Sequence, residues 1–111
     1  MESDRKRKYK RIRTLVLFNV NQPDITNRES RAALVDVSLG GVAFETQAEF
    51  YVGNNVILRI ILPDKKIFVL ECIIRRVQRR TGTFLYGSEF VYSGASDRKK
   101  LEKIISEISS L

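Results

Sequence analysis

The chain of 111 residues contains no histidine and a single cysteine, Cys72. Without histidine it lacks the commonest general base and the commonest transition-metal ligand, which excludes Ser-His-Asp and Cys-His catalysts. One cysteine excludes an internal disulfide and is typical of a reducing cytosol. Leu70 and Ile74 share its face in a strand, which predicts a buried, unreactive thiol. We therefore expect neither an enzyme nor a protein that holds a metal or another cofactor.

Long apolar runs are also missing. No stretch reaches the roughly 18 apolar residues that a membrane span needs, and no apolar core of a signal peptide follows the basic N-terminus. We therefore expect a cytoplasmic protein without a membrane span. Positive charge is abundant, because 20 lysines and arginines against 13 acidic residues give a net charge of +7. This charge favours an anionic partner, which can be a nucleotide, a nucleic acid or an acidic membrane surface.

Length and composition indicate one globular domain with distinct segments. Residues 1–13 form a densely basic arm, which resists packing and is predicted to be mobile in the free protein. Residues 14–92 contain six strand-like runs separated by turn residues, and this spacing predicts a small antiparallel barrel or sandwich. The predicted strands are residues 14–20, 31–37, 42–46, 55–62, 66–78 and 83–92.

The C-terminal segment, residues 96–111, has the periodicity of a helix. Ser96 can cap this helix, and Asp97 places a negative charge in its first turn. Apolar residues then recur at helical spacing. They are Leu101, Ile104, Ile105, Ile108 and Leu111. We expect an amphipathic helix that covers one end of the barrel, and the alternative is a helix that binds another protein.

The first of two polar clusters is Arg7-Lys8-Tyr9-Lys10-Arg11, with two arginines four residues apart. Arginine offers a planar fork of donors that suits phosphate oxygens and the O6/N7 edge of guanine. If the segment is helical, the two guanidinium groups share one face and repel each other unless an anion lies between them. Taken alone, this spacing is also compatible with a solvated basic tail that touches nucleic-acid phosphates without reading sequence.

The second cluster is an Asp-x-Ser-x-x-Gly motif in residues 36–41. In an extended chain Asp36 and Ser38 share one face, where a carboxylate can accept hydrogen bonds from N1–H and N2–H₂ of guanine while the hydroxyl assists. Gly40 and Gly41 would leave room for a ring to lie against the main chain. Taken alone, the motif is also compatible with a tight turn between strands, for which these residue types are usual.

Both clusters in this order, within six strands and before a helix, resemble a PilZ domain over residues 5–111. The segment Tyr86-Gly87-Ser88-Glu89-Phe90-Val91 is similar to the Gly-x-x-Phe last strand of that family. The resemblance implies an all-β fold with a C-terminal helix, namely a six-stranded antiparallel β-barrel. It also implies a bacterial receptor for the second messenger cyclic di-GMP, with no enzymatic activity.

The resemblance carries site roles to individual residues. In the family, two arginines clamp phosphates and pair with or stack on guanine, an Asp and a Ser hold a guanine edge, and a glycine permits close approach. Lys6 stands where many relatives have another arginine, which leaves the third cationic contact and the ligand stoichiometry open. The expected ligand-binding residues are Lys6, Arg7, Arg11, Asp36, Ser38, Gly40 and Gly41.

We expect cyclic di-GMP to order residues 5–12 against the barrel and so present a new surface to a downstream protein. Control of motility, biofilm or polysaccharide is what the family resemblance suggests for that step. The alternative function is a small basic β-barrel that binds RNA or DNA, supported by a cluster of Arg75, Arg76, Arg79 and Arg80. Single-strand binding normally needs exposed aromatic residues beside the charge, and the aromatic residues here fall mostly within strand runs. We therefore predict a solvated strand end there and no nucleic-acid partner.

Overall fold

A computed structural model describes residues 16–23, 29–92 and 94–109 and shows six antiparallel strands followed by one helix. The order around the barrel is β1-β2-β3-β6-β5-β4, and pairing of β4 with β1 closes it. The elements are β1 (Leu17–Asn21), β2 (Ser30–Val37), β3 (Gly41–Thr46), β4 (Asn55–Ile61), β5 (Ile67–Arg80), β6 (Thr83–Phe90) and α1 (Ala95–Ser109). The predicted all-β barrel with a C-terminal helix is confirmed.

Several predicted boundaries are shifted by a few residues. β4 ends at Ile61 because Leu62 already belongs to the turn, where its carbonyl accepts a hydrogen bond from the Lys65 amide (2.8 Å). The helix begins at Ala95, one residue before the predicted segment. The predicted arm, residues 1–13, lies outside the described residues, as does Leu111. Within the described ranges, no helix is long and apolar enough to cross a membrane.

The core fills the barrel with alternate residues of each strand and the apolar face of α1. In β4, for example, Val56, Leu58 and Ile60 are buried, as the period of two in a strand requires. The predicted apolar face of the helix is confirmed, since Leu101 and Ile104 belong to the same buried cluster. Each fully buried side chain of this kind stabilises the fold by roughly 1.5–3 kcal/mol, so the barrel is a firm base for side chains outside it.

Two β-bulges lie at the same level of the barrel. The pairing register shifts between Leu34 and Asp36 in β2, and again between Ile74 and Arg76 in β5. Both shifts end on one row of paired residues that crosses four strands from Asp36 to Arg76. Bulges change the direction of side chains and are frequent beside functional sites, so this row is a candidate location for one.

Candidate functional site

A cleft of about 310 Å³ lies on the outside of the barrel, across strands β2, β3, β6 and β5. Its volume falls at the lower end of the range for small-molecule sites. The lining residues are Asp36, Ser38, Gly40, Gly41, Val42, Ala43, Arg75, Arg76, Gly87, Ser88 and Glu89. The structure therefore brings together the whole second polar cluster. The first cluster, with the predicted site residues Arg7 and Arg11, lies outside the described residues, as does the preceding Lys6.

The floor of the cleft is a row of four paired residues. Asp36 pairs with Ala43, Ala43 with Gly87, and Gly87 with Arg76. Because neighbouring strands lie about 4.8 Å apart, the row measures about 14 Å along the curved sheet. Alanine and glycine occupy the middle positions, so the floor is low and free of large side chains between a carboxylate on one side and a guanidinium on the other. Such a surface can accept a planar ring.

One wall of the cleft, the turn wall, consists of residues 36–41, which run from the end of β2 through the turn to the first residue of β3. Asp36 accepts a hydrogen bond from the Val37 amide at its Oδ1 (2.9 Å), and Ser38 accepts one from the Gly40 amide at its Oγ (3.3 Å). Val37 is buried between them, so Asp36 and Ser38 line the cleft together, as the extended spacing predicts. A carboxylate has several acceptor positions, so each residue can shape the turn and still face a ligand.

Other contacts close the turn wall on itself and hold it against the end of β6. The Ser38 amide donates to the Gly41 carbonyl (2.9 Å), and the Phe90 amide donates to the Gly40 carbonyl (3.4 Å). The Tyr92 hydroxyl donates to the Leu39 carbonyl. The backbone of the turn wall is therefore held in place before any ligand arrives, which lowers the entropy cost of binding.

The two glycines of the turn wall have different structural roles. A Cβ built on Gly41 would lie 1.9 Å from the Ser88 carbonyl oxygen, whereas a Cβ on Gly40 would meet only Ser38 Oγ, at 3.8 Å. Gly41 is thus required by the close approach of β3 to β6. The sequence predicts room for a ring at both glycines, but only Gly40 faces open space.

The opposite wall, the arginine wall, is formed by Arg75 and Arg76 of β5 together with Glu89 of β6. Arg76 lies across β6 at Gly87, since a Cβ on that glycine would be 3.1 Å from Arg76 Nε and 3.3 Å from Nη2. Arg75, the extra residue of the β5 bulge, donates from Nη2 to Glu89 Oε1 (3.0 Å). Both guanidinium groups are exposed at the cleft and offer donors to an anion.

The arginine wall is the part of the site that the sequence pattern did not predict. The sequence places Arg75 and Arg76 at a solvated strand end, and only the pairing of β5 with β6 shows that they line the cleft. One signal was present in the sequence. Gly87 interrupts a strand, where glycine often marks the close approach of another group, and here that group is Arg76.

The course of β1 relates the first polar cluster to the cleft. The Val16 carbonyl accepts a hydrogen bond from the Leu34 amide (2.9 Å), two residues from Asp36 in β2. β1 runs antiparallel to β2, so the N-terminal end of β1 points toward the end of β2 that carries Asp36. Arg11 precedes Val16 by five positions, and an extended chain of that length spans at most about 17 Å.

Comparison with known proteins gives one family. The family model of the PilZ domain matches residues 5–107. The structure is similar to the PilZ domain of YcgR from Escherichia coli with c-di-GMP, at a TM-score of 0.71 and 19% identity, over 95% of this chain and 92% of that chain. None of the curated proteins matches the chain.

Two further solved structures have the same fold. The inhibitor of motility MotI/DgrA from Bacillus subtilis matches at a TM-score of 0.62 and 20% identity, over 91% of this chain and 50% of that chain. The PilZ domain of CeSA from a cellulose-synthesizing bacterium matches at a TM-score of 0.63 and 18% identity, over 88% of this chain and 96% of that chain. At these identities the likeness shows the fold alone.

Proposed function

This chain belongs to the PilZ domain family, and we propose that it is a cytoplasmic receptor for cyclic di-GMP that signals to a downstream protein. The observation that carries the proposal is the cleft in which Asp36 and Ser38 face Arg75 and Arg76 across a floor of small residues. We propose a receptor and not an enzyme, because the chain has no histidine, the commonest general base.

The chemistry of cyclic di-GMP is complementary to this cleft. The ligand carries one negative charge on each of two phosphodiesters and presents two guanine rings. A guanine edge offers N1–H and N2–H₂ to the Asp36 carboxylate, while an arginine can bind a phosphate or lie over a ring. Charge-assisted hydrogen bonds of this kind contribute roughly 1.5–3 kcal/mol each.

The predicted phosphate clamp, Arg7 and Arg11, forms the remaining part of the proposed site. The direction of β1 supports it, since the five positions from Val16 back to Arg11 can span up to about 17 Å toward the turn wall. Ordering a chain segment costs about 1–2 kcal/mol per residue, so several strong contacts can offset the ordering of only a few residues. We propose that the ligand orders residues 5–12 in this way, and that the ordered segment is the surface that the downstream protein recognises.

Calorimetry with cyclic di-GMP tests the ligand and the site together. We expect the wild type to bind, and Asp36→Ala and Arg11→Ala each to raise Kd about tenfold or more, the equivalent of one charge-assisted bond. Arg98→Ala, which removes an exposed arginine of α1, is the matched control and should bind as the wild type does. Undetectable binding by the wild type at high micromolar ligand would refute the function. Unchanged Kd values in both site variants would refute the site.

Hydrogen exchange tests the signalling step. Backbone amides of residues 5–12 should become more protected when cyclic di-GMP is added to the full chain, while those of β4 should change little. If calorimetry shows binding but residues 5–12 gain no protection, the receptor function stands and the proposed ordering of residues 5–12 is wrong.

The RNA- or DNA-binding alternative loses part of its support from the placement of the second basic cluster. Two of its arginines line the cleft, and the guanidinium of Arg79 lies over the Phe84 ring at 5.4 Å. We propose that nucleic acid is not the physiological partner. A steep salt dependence of RNA binding together with no response to cyclic di-GMP would reverse that choice.

A further inference from the structure

One acidic residue stands in the wall where the ligand phosphates need positive charge. Glu89 lies on the outer face of β6, in register between Gly41 of β3 and Ile73 of β5. Its Oε1 accepts the hydrogen bond from Arg75 Nη2 at 3.0 Å, and the two side chains are 58% and 52% exposed. The ion pair therefore sits at the mouth of the cleft, where ligand and solvent both reach it.

We propose that Glu89 is a specificity-determining residue that favours the doubly charged cyclic dinucleotide over more highly charged guanine nucleotides such as guanosine triphosphate. The inference rests on the proposed function, because it concerns the same cleft. A cleft with a guanine-reading carboxylate and several arginines would otherwise accept any guanine nucleotide, and Glu89 is the cleft carboxylate that lies beside an arginine, where a phosphate would bind.

The first part of the argument is repulsion. Cyclic di-GMP carries two negative charges, whereas guanosine triphosphate carries about four near neutral pH. The Coulomb energy between a fixed carboxylate and a ligand grows in proportion to the ligand charge. Glu89 therefore disfavours the triphosphate more than the cyclic ligand, which is a use of repulsion to obtain selectivity.

The second part is the occupation of Arg75. A guanidinium has five N–H donors in a fixed fork, and one of them is bound to Glu89. A compact triphosphate binds best to several concentrated positive charges. The neutral Arg75–Glu89 pair supplies less positive charge than a free arginine would. Arg76, whose guanidinium lies over Gly87, remains available to a phosphodiester or a ring. The pair thus reduces the advantage of dense negative charge without closing the site.

The test is Glu89→Gln, which removes the charge and keeps the size of an exposed side chain. At low salt we expect cyclic di-GMP to bind about twofold more tightly and guanosine triphosphate about fivefold more tightly, effects of the size of one exposed ion pair. The gain should shrink as ionic strength rises, because exposed charges are screened. Glu102→Gln makes the same charge change on α1, away from the cleft-lining residues, and should alter neither Kd.

The outcomes separate this inference from the function on which it rests. If the wild type does not bind cyclic di-GMP, the function fails, and inorganic triphosphate still tests the charge effect by its affinity for wild type and Glu89→Gln. If the wild type binds and Glu89→Gln weakens binding, Glu89 reads the base and the inference is wrong. Equal gains for both nucleotides, or equal gains in Glu102→Gln, would also overturn it.

Discussion

The two walls of the cleft differ in how they are built. The turn wall is a continuous stretch of six residues, and its side chains are fixed by hydrogen bonds to their own backbone, such as Ser38 Oγ with the Gly40 amide. The arginine wall is assembled from two strands, and its long side chains are exposed. Fixing such a side chain costs up to about 2 kcal/mol of entropy. We therefore expect the turn wall to determine which base is read, and the arginine wall to determine affinity and its dependence on salt.

The largest expected effect is a loss of stability on substitution of Gly41, the last residue of the turn wall. Gly41→Ala places a methyl group 1.9 Å from the Ser88 carbonyl oxygen, so strands β3 and β6 must separate. Strain of this kind costs about 1–3 kcal/mol or more, and we expect the midpoint of urea unfolding to fall accordingly. A Gly41→Ala variant with the stability of the wild type would show that the contact is not rigid.

Gly40→Ala is the matched control within the same wall. Its Cβ would meet only Ser38 Oγ at 3.8 Å, and Gly40 is not among the residues with positive φ. We expect the free energy of unfolding to stay within about 0.5 kcal/mol of the wild type. A loss of cyclic di-GMP affinity at unchanged stability would support Gly40 as room for the ligand.

The second prediction separates base reading from charge. Asp36→Asn replaces a pure acceptor by an amide that can no longer accept both guanine N–H groups, so affinity should fall about tenfold. Because the change also removes a negative charge, the salt dependence of binding the anionic ligand should become steeper. Arg76→Gln removes a charge, so affinity should fall and the salt dependence should become weaker. Calorimetry at several salt concentrations measures both quantities. Identical salt dependence in the two variants would remove the distinction between the walls.

A smaller effect is expected from the floor. Gly87→Ala brings a methyl group to 3.1 Å from Arg76 Nε, and the exposed guanidinium can move by a few tenths of an ångström to relieve it. We expect affinity for cyclic di-GMP to fall about threefold, a cost within the range for displacing one exposed charged contact, with little change in thermal stability. Arg76→Gln already removes the contact of Arg76 with the ligand. In the double variant, Gly87→Ala should therefore cause no further loss of affinity. An additive loss would mean that the methyl group obstructs the ligand directly.

The difference between the walls also explains how much the sequence could predict. The barrel, the helix and the turn wall follow from patterns within short stretches, such as the alternation of Val56, Leu58 and Ile60 or the spacing of Asp36 and Ser38. The arginine wall depends on a bulge in β5 and on its register with β6, and no local pattern fixes these. Glu89 follows no motif in the sequence, and only the fold places it beside Arg75. Residues that meet through topology are thus found only when the fold is known.

The smallest effect of the ligand is expected at Cys72, on the inner face of β5, the strand that carries Arg75 and Arg76. Cys72 is buried inside the barrel, and this burial raises the pKa of its thiol to about 12. At pH 8 only about one thiol in ten thousand is then ionised, so a thiol reagent such as iodoacetamide should not label the native protein, though it should label the urea-unfolded chain. We expect cyclic di-GMP to leave this protection unchanged, because the proposed signal involves contacts outside the barrel. Ligand-induced labelling of Cys72 would instead show that binding opens β5, and the two walls would no longer act on a rigid base.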